Sequence, residues 1–221
     1  ILNFKFKIEK SKLKDINAYL WTAISVVAFG KLTDFFVRSY IISTYNLFET
    51  GLWQAVSKIS DGYTTVFLAA FSTLIFVKFS SLIEDKKSLA IFLKKVIISV
   101  FMLSLISLSI LYYFRILSLE IFYNHEFIAA ERLFKYQCIG DLFKFPFLIM
   151  SNLLLVQMRV KIYIILQAIS ACIYIVFIYI LSQYMDINSM NVAHAIRWVS
   201  MCMLVIFLYK DILLYQIEIE K

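Results

Sequence analysis

The stretch Thr50–Val77 reads TGLWQAVSKISDGYTTVFLAAFSTLIFV, an apolar run long enough to cross a bilayer that still carries a lysine and an aspartate. On a helix, Gln54, Lys58, Asp61, Thr65 and Ser72 recur at steps of 4, 3, 4 and 7 and share one face. A charge near the bilayer centre costs roughly 2.5 to 3.5 kcal/mol on insertion scales, so Lys58 and Asp61 are expected to point into a bundle interior or a wet cavity. A helix of this kind leads to the expectation of a transport-type membrane protein.

Composition narrows the architecture. The 221 residues are 62% hydrophobic with 4 glycines and 1 proline, more apolar than a soluble domain of this size. Six helices of about 20 residues each would absorb that material. The apolar runs are continuous rather than alternating every second residue, which argues against a β-barrel. The expected fold is an all-α membrane protein with six transmembrane helices in one domain over 16–216, between a basic segment 1–15 and a short tail 217–221. Ile1–Asp15 is too charged for a signal peptide and is read as part of something longer. Cys138, Cys172 and Cys202 have no paired spacing, so packing roles are expected, with neither a metal site nor a cofactor.

Taken in order, the spans are expected at Ala18–Ile42, Thr50–Val77, Ala90–Phe114, Leu133–Val156, Ile162–Tyr184 and Asn191–Leu214. In the first, Lys31, Asp34 and Arg38 share a face, and Lys31 and Asp34 can pair. The third span is expected to be the most exposed to lipid. Arg115–Arg132 reads as amphipathic and partly interfacial. The fourth repeats the polar stripe with Gln137, Asp141 and Lys144, and Pro146 is expected to bend it. His194 and Arg197, early in the sixth, are expected at the membrane face rather than in a cavity.

The net charge of +7 could suggest nucleic acid, but the lysines lie in short loops beside apolar helices, which favours a topological role and no nucleic-acid partner. The lysines of 5–14 and 86–95, with Arg159, Lys161, Lys210 and Lys221, fall on one side, against Arg115 and Arg132 on the other. Both termini are therefore expected in the cytoplasm. Within the spans, Lys31, Arg38, Lys58, Lys135, Lys144 and Arg197 outnumber Asp34, Asp61 and Asp141, and a cationic interior suits an anionic ligand.

The blocks LFETGLWQAVSKISDGYTTVFLAAFSTLIFVKFSSL and FYNHEFIAAERLFKYQCIGDLFKFPFLIMSNLLL resemble segments of the O-antigen translocases, the Wzx-type lipid-linked oligosaccharide flippases. The family patterns are G-x-W-Q-x-x-S-x-x-S-D-x-Y and F-x-N-x-x-F…LF-x-x-Q-x-x-GD-x-x-K. The resemblance implies the C-terminal half of a twelve-helix multidrug/oligosaccharidyl-lipid/polysaccharide exporter. It also implies, as substrate, undecaprenyl-diphosphate-linked oligosaccharide flipped across the bacterial inner membrane. Implied partners are the bilayer, a missing N-terminal half and the O-antigen polymerase machinery. Arg38 lies fifteen residues before Trp53, where the family also has an arginine. Asp61 falls on the first pattern, and Gln137, Gly140, Asp141 and Lys144 on the second. The chain departs from the family at Phe76–Lys78, where a proline is common, and at Gln167, where an acid is common.

The substrate-binding candidates are thus Arg38, Lys31, Lys58 and Lys144, and the gating or ion-coupling candidates are Asp34, Asp61, Asp141, Gln54 and Gln137. Arg38 can hold the lipid diphosphate with its planar fork, or serve as an internal partner of Asp34. Lys58–Asp61 and Asp141–Lys144 can gate or couple an ion, or be neutralised couples that let a polar helix insert. No nucleophile–base spacing, phosphate loop or metal-ligand cluster points to an enzyme. Two alternatives stay open: another exporter of the same superfamily, for a peptidoglycan precursor or a drug, and a membrane enzyme of polysaccharide assembly. For topology, single cysteines at Asn46, Asn124 and Ser189 are expected to react with an impermeant maleimide from outside. Those at Lys86 and Lys221 should react only after permeabilisation, and cytoplasmic labelling at Asn46 would contradict the six-span arrangement.

Overall fold

The structure, a computed structural model, describes residues 10–214. Lys5 and Lys7 of the basic segment and the tail 217–221 lie outside them. The described residues form α1 Lys10–Thr44, α2 Leu47–Leu82, α3 Lys86–Tyr113, α4 Arg115–Phe122, a 3-10 segment His125–Leu133, α5 Phe134–Val156, α6 Val160–Leu181, α7 Asn188–Leu208 and α8 Lys210–Leu214. No strand occurs among them. Five helices are long and apolar enough to cross a membrane, and α2 makes a sixth if its pieces Leu47–Phe71 and Thr73–Leu82, inclined by 42°, form one span. The chain is therefore an all-α protein built as a multi-pass membrane protein. The first two expected spans fall within α1 and α2, the third and fourth overrun α3 and α5 by one residue, the fifth overruns α6 by three, and the sixth is divided at Tyr209 between α7 and α8, while α1 extends the first back through Lys14, Lys12 and Lys10.

Local chemistry sets the helix starts. Asn46 is extended and its side chain accepts the Glu49 amide at 2.8 Å, capping α2. Asp85 caps α3 by accepting the Lys87 and Ser88 amides. The Ser88 hydroxyl, 2.5 Å from Asp85 Oδ2, and the Ser88 amide hold that carboxyl below its ordinary value. One end of the bundle is laced by polar contacts. Tyr45 donates to the Met185 carbonyl at 3.1 Å, and Arg132 meets Glu49 at 2.9 Å and Asp186 at 3.5 Å. Ser189, which faces Tyr45, is fully buried, so on this side Asn46 and Asn124 are the positions open to labelling.

The helix contacts close a ring, α1 against α2, α2 against α5, α5 against α7, α7 against α6 and α6 back against α1, with α3 packed outside α5. The closest partnership is α5 with α7. Gly140 is the reason they can approach: a Cβ there would lie 2.3 Å from His194 Cδ2 and 3.1 Å from Ala195 Cα. Small residues play this part wherever helices meet in lipid, because packing rather than release from water holds them together. Around the crossing, Phe134, Phe147, Ile149, Met150 and Leu153 are sealed from solvent.

Three expectations change. The first span is less covered by protein than α3, since α3 packs along α5 and α1 touches only α2 and α6 substantially. Cys172 is exposed on α6 rather than packed, while Cys138 and Cys202 are buried. His194 and Arg197 point into the bundle, not to its face, because α7 turns both toward neighbouring helices.

Candidate functional site

The polar centre of the bundle is the carboxylate of Asp141, which has no exposure to solvent. On one oxygen it accepts Ser60 Oγ at 2.6 Å, the Tyr63 hydroxyl, and Gln137 Nε2 at 3.1 Å. Its other oxygen lies 3.0 Å from His194 Nε2 and 3.6 Å from Lys144 Nζ. Helical spacing delivers these groups. Ser60 and Tyr63 stand one turn apart on α2, Gln137, Asp141 and Lys144 stack along α5, and His194 comes from α7. A second tier completes the set: Asn191 Nδ2 donates to Gln137 Oε1 at 2.8 Å, and Lys144 Nζ donates to Thr64 Oγ1 at 3.0 Å.

The ring nitrogen His194 Nε2 also lies 3.1 Å from Gln137 Nε2. The two contacts ask opposite things of it, since it donates to Asp141 when protonated and accepts from the amide when bare. The site can therefore hold a proton between a carboxylate and an imidazole, with a lysine close by. With its many donors, the carboxylate can also act as a clamp across α2, α5 and α7.

Beside this centre a polar cleft of about 350 Å³ opens between α1 and α2, lined by Gly30, Lys31, Asp34, Asp61, Thr64 and Thr65 with Val26 and Val27. Thr64 joins cleft and centre, because it lines the first and accepts Lys144 of the second. A larger cavity of about 480 Å³, between α2, α3 and α5, is walled by Phe67, Phe71, Leu103, Leu108 and Phe145 and is apolar except for Tyr63 and serine hydroxyls.

The sequence candidates separate into groups. Asp141, Gln137 and Lys144 are assembled in the buried centre. Lys31, Asp34 and Asp61 line the cleft. Lys58 pairs with Asp61 at 3.1 Å, but the side chains are 62% and 58% exposed, so the stripe expected inside the bundle is an open face in this chain. Gln54 is half-buried, Thr65 is exposed, and the Ser72 side chain lies outside the described set. Lys31 and Asp34 form no ion pair among the described residues; the charges that act on Asp34 are Asp61, Lys58, Lys31 and Arg197. Arg38 is exposed one turn along α1 from Asp34 and does not line the cleft.

Ser60, Tyr63, His194 and Asn191 were not among those candidates. Their signal was present as a second stripe on α2, Ser60, Tyr63 and Thr64, and as Asn191, His194 and Trp198 at turn spacing on α7. Serine and tyrosine are too common in apolar helices for that signal to stand out.

No family model, no curated protein and no solved structure matches the chain.

Because Asp141 is buried and Asp61 exposed, their replacement by leucine should differ. Asp141→Leu strands Lys144 and His194 and should lower stability by roughly 3–5 kcal/mol, whereas Asp61→Leu should change it by about 1 kcal/mol or less. Thermal unfolding of the purified protein in detergent measures both, and equal losses would contradict this division.

Proposed function

We propose that the chain is the six-helix half of a flippase that carries undecaprenyl-diphosphate-linked oligosaccharide from the cytoplasmic to the outer leaflet of the bacterial inner membrane, with both termini in the cytoplasm. The observation that supports this most is the charged cleft along helices suited to hydrocarbon. Lys31, Asp34, Arg38, Lys58 and Asp61 on one side of α1 and α2 are too costly to leave against lipid. That face therefore meets either water in a substrate path or another membrane-embedded segment, as two halves moving against each other would provide. The substrate class comes from the two blocks that resemble the oligosaccharide-lipid flippases.

Charge balance bears on the exporter alternative. The cleft lining itself has Asp34 and Asp61 against Lys31; Lys58 at its rim balances them, and Arg38, exposed one turn along α1, tips the open face to positive. An exporter of cationic drugs would need the reverse sign, so an anionic head group fits better. A peptidoglycan-precursor exporter, whose substrate is also a diphosphate lipid, shares the same requirement.

Arg38 tests this reading, since it is fixed positive charge on the open face. In a strain lacking its own flippase, the full-length protein with Arg38→Ala should lose most O-antigen display, and Arg38→Lys should keep part, because lysine retains charge without the planar fork. Normal display from Arg38→Ala at normal membrane abundance would remove Arg38 from the substrate path.

A further inference from the structure

Arg197 lies one turn beyond His194 on α7, yet its guanidinium turns toward α6. Its Nε donates to Ser170 Oγ at 2.6 Å, and its central carbon sits 4.5 Å from the Trp198 ring centre and 5.2 Å from that of Tyr174. Ser170 is fully buried, and Tyr174 and Trp198 nearly so. Among the described residues no carboxylate comes within 4.0 Å of it, and neither terminal nitrogen has a hydrogen-bond partner. Arg197 as a whole is half-buried.

The other cations near the cleft are committed or exposed. Lys58 is held by Asp61, and Lys144 by Asp141 and Thr64, while Lys31 and Arg38 face outward. Arg197 alone in this group is held against two aromatic faces and has no anion within ion-pair distance. Stacking occupies the faces of a guanidinium and leaves its edge free, and that edge offers two parallel N–H donors matched to phosphoryl oxygens. An arginine does not escape the cost of enclosure by losing its proton, so a partner anion is the remaining remedy. Ser170 and Tyr174 lie on α6, which packs against α1, the helix that carries Lys31 and Asp34 of the cleft wall. Lys144 Nζ lies 5.9 Å from the same Trp198 ring and connects through Thr64 to the cleft.

We propose that Arg197 is an anion-binding residue whose terminal nitrogens take a phosphoryl group that enters through the α1–α2 cleft. This rests on the reading of the cleft as the path of an anionic head group and names the side chain that grips it.

The test is binding of farnesyl diphosphate, inorganic diphosphate and farnesol to the purified chain in detergent, by calorimetry and thermal shift. Farnesyl diphosphate should bind and farnesol should not. Arg197→Gln should weaken binding roughly tenfold or more, and Arg197→Lys severalfold with a near-normal melting temperature. Lys87→Gln, at an exposed cation at the start of α3 away from the cleft, should change nothing. Inorganic diphosphate binding as well as the farnesyl compound would mark a site for the free anion, and its failure a site for a lipid head group; either supports the proposal. Unchanged affinity in Arg197→Gln, or in Arg197→Lys should the glutamine variant not fold, overturns the role of Arg197 and leaves the cleft reading standing. Failure of the unmodified protein to bind either diphosphate overturns both.

Discussion

A carboxylate with no exposure, set in a helix meant for hydrocarbon, must bring its own solvation, and Asp141 does so with side chains from three helices. The requirement is severe because each donor must arrive from a different element at hydrogen-bond distance. It fixes the rotation of α2, α5 and α7 about their axes more tightly than apolar packing can, since leucines and phenylalanines tolerate small shifts that a 2.6 Å bond from Ser60 does not. Gly140, the residue just before Asp141 on α5, serves the same end. By carrying no Cβ it lets the His194 ring reach over α5, so a missing side chain is a condition for the bond next to it.

The helix α2 divides its polar residues between two jobs. Ser60, Tyr63 and Thr64 look inward to the Asp141 centre, while Lys58, Asp61 and Thr65 look out over the cleft toward α1. A helix with polar groups on both sides and apolar residues between cannot lie against lipid all round, which accounts for its place in the ring between α1 and α5. Thr64 sits where the two jobs meet. A change in the cleft at Thr64 would therefore be felt through Lys144 at the carboxylate, and this gives the proposed flippase a physical link between substrate and helix arrangement.

Much of this could be read from the residues. Helix type and approximate bounds follow from long apolar runs, and Gln137, Asp141 and Lys144 stood out because polar and charged residues at turn spacing are rare in such runs. The partners of Asp141 were illegible for a different reason. Periodicity says which residues share a face, not which face of another helix it meets, so the stripe of Lys58 and Asp61 was the expected interior when Ser60 and Tyr63 are the ones that turn inward. Position along the helix misled in the same way for His194: its place early in the last span suggested the membrane face. Long residues at a helix end can still reach a centre when a glycine on the neighbour lets the backbones close.

The claim on which the rest hangs is that Asp141 binds α2 to α5 through specific donors. A double-mutant cycle reads that bond directly, with Tyr63→Phe, Asp141→Asn and the pair, each measured by unfolding of the purified protein. If the Tyr63 hydroxyl and the carboxylate act on one another as described, the losses will not add, and the coupling will be roughly 0.5–3 kcal/mol. Losses that sum to the double-mutant value within error would mean that the two side chains are independent and that Asp141 is not the centre of the bundle.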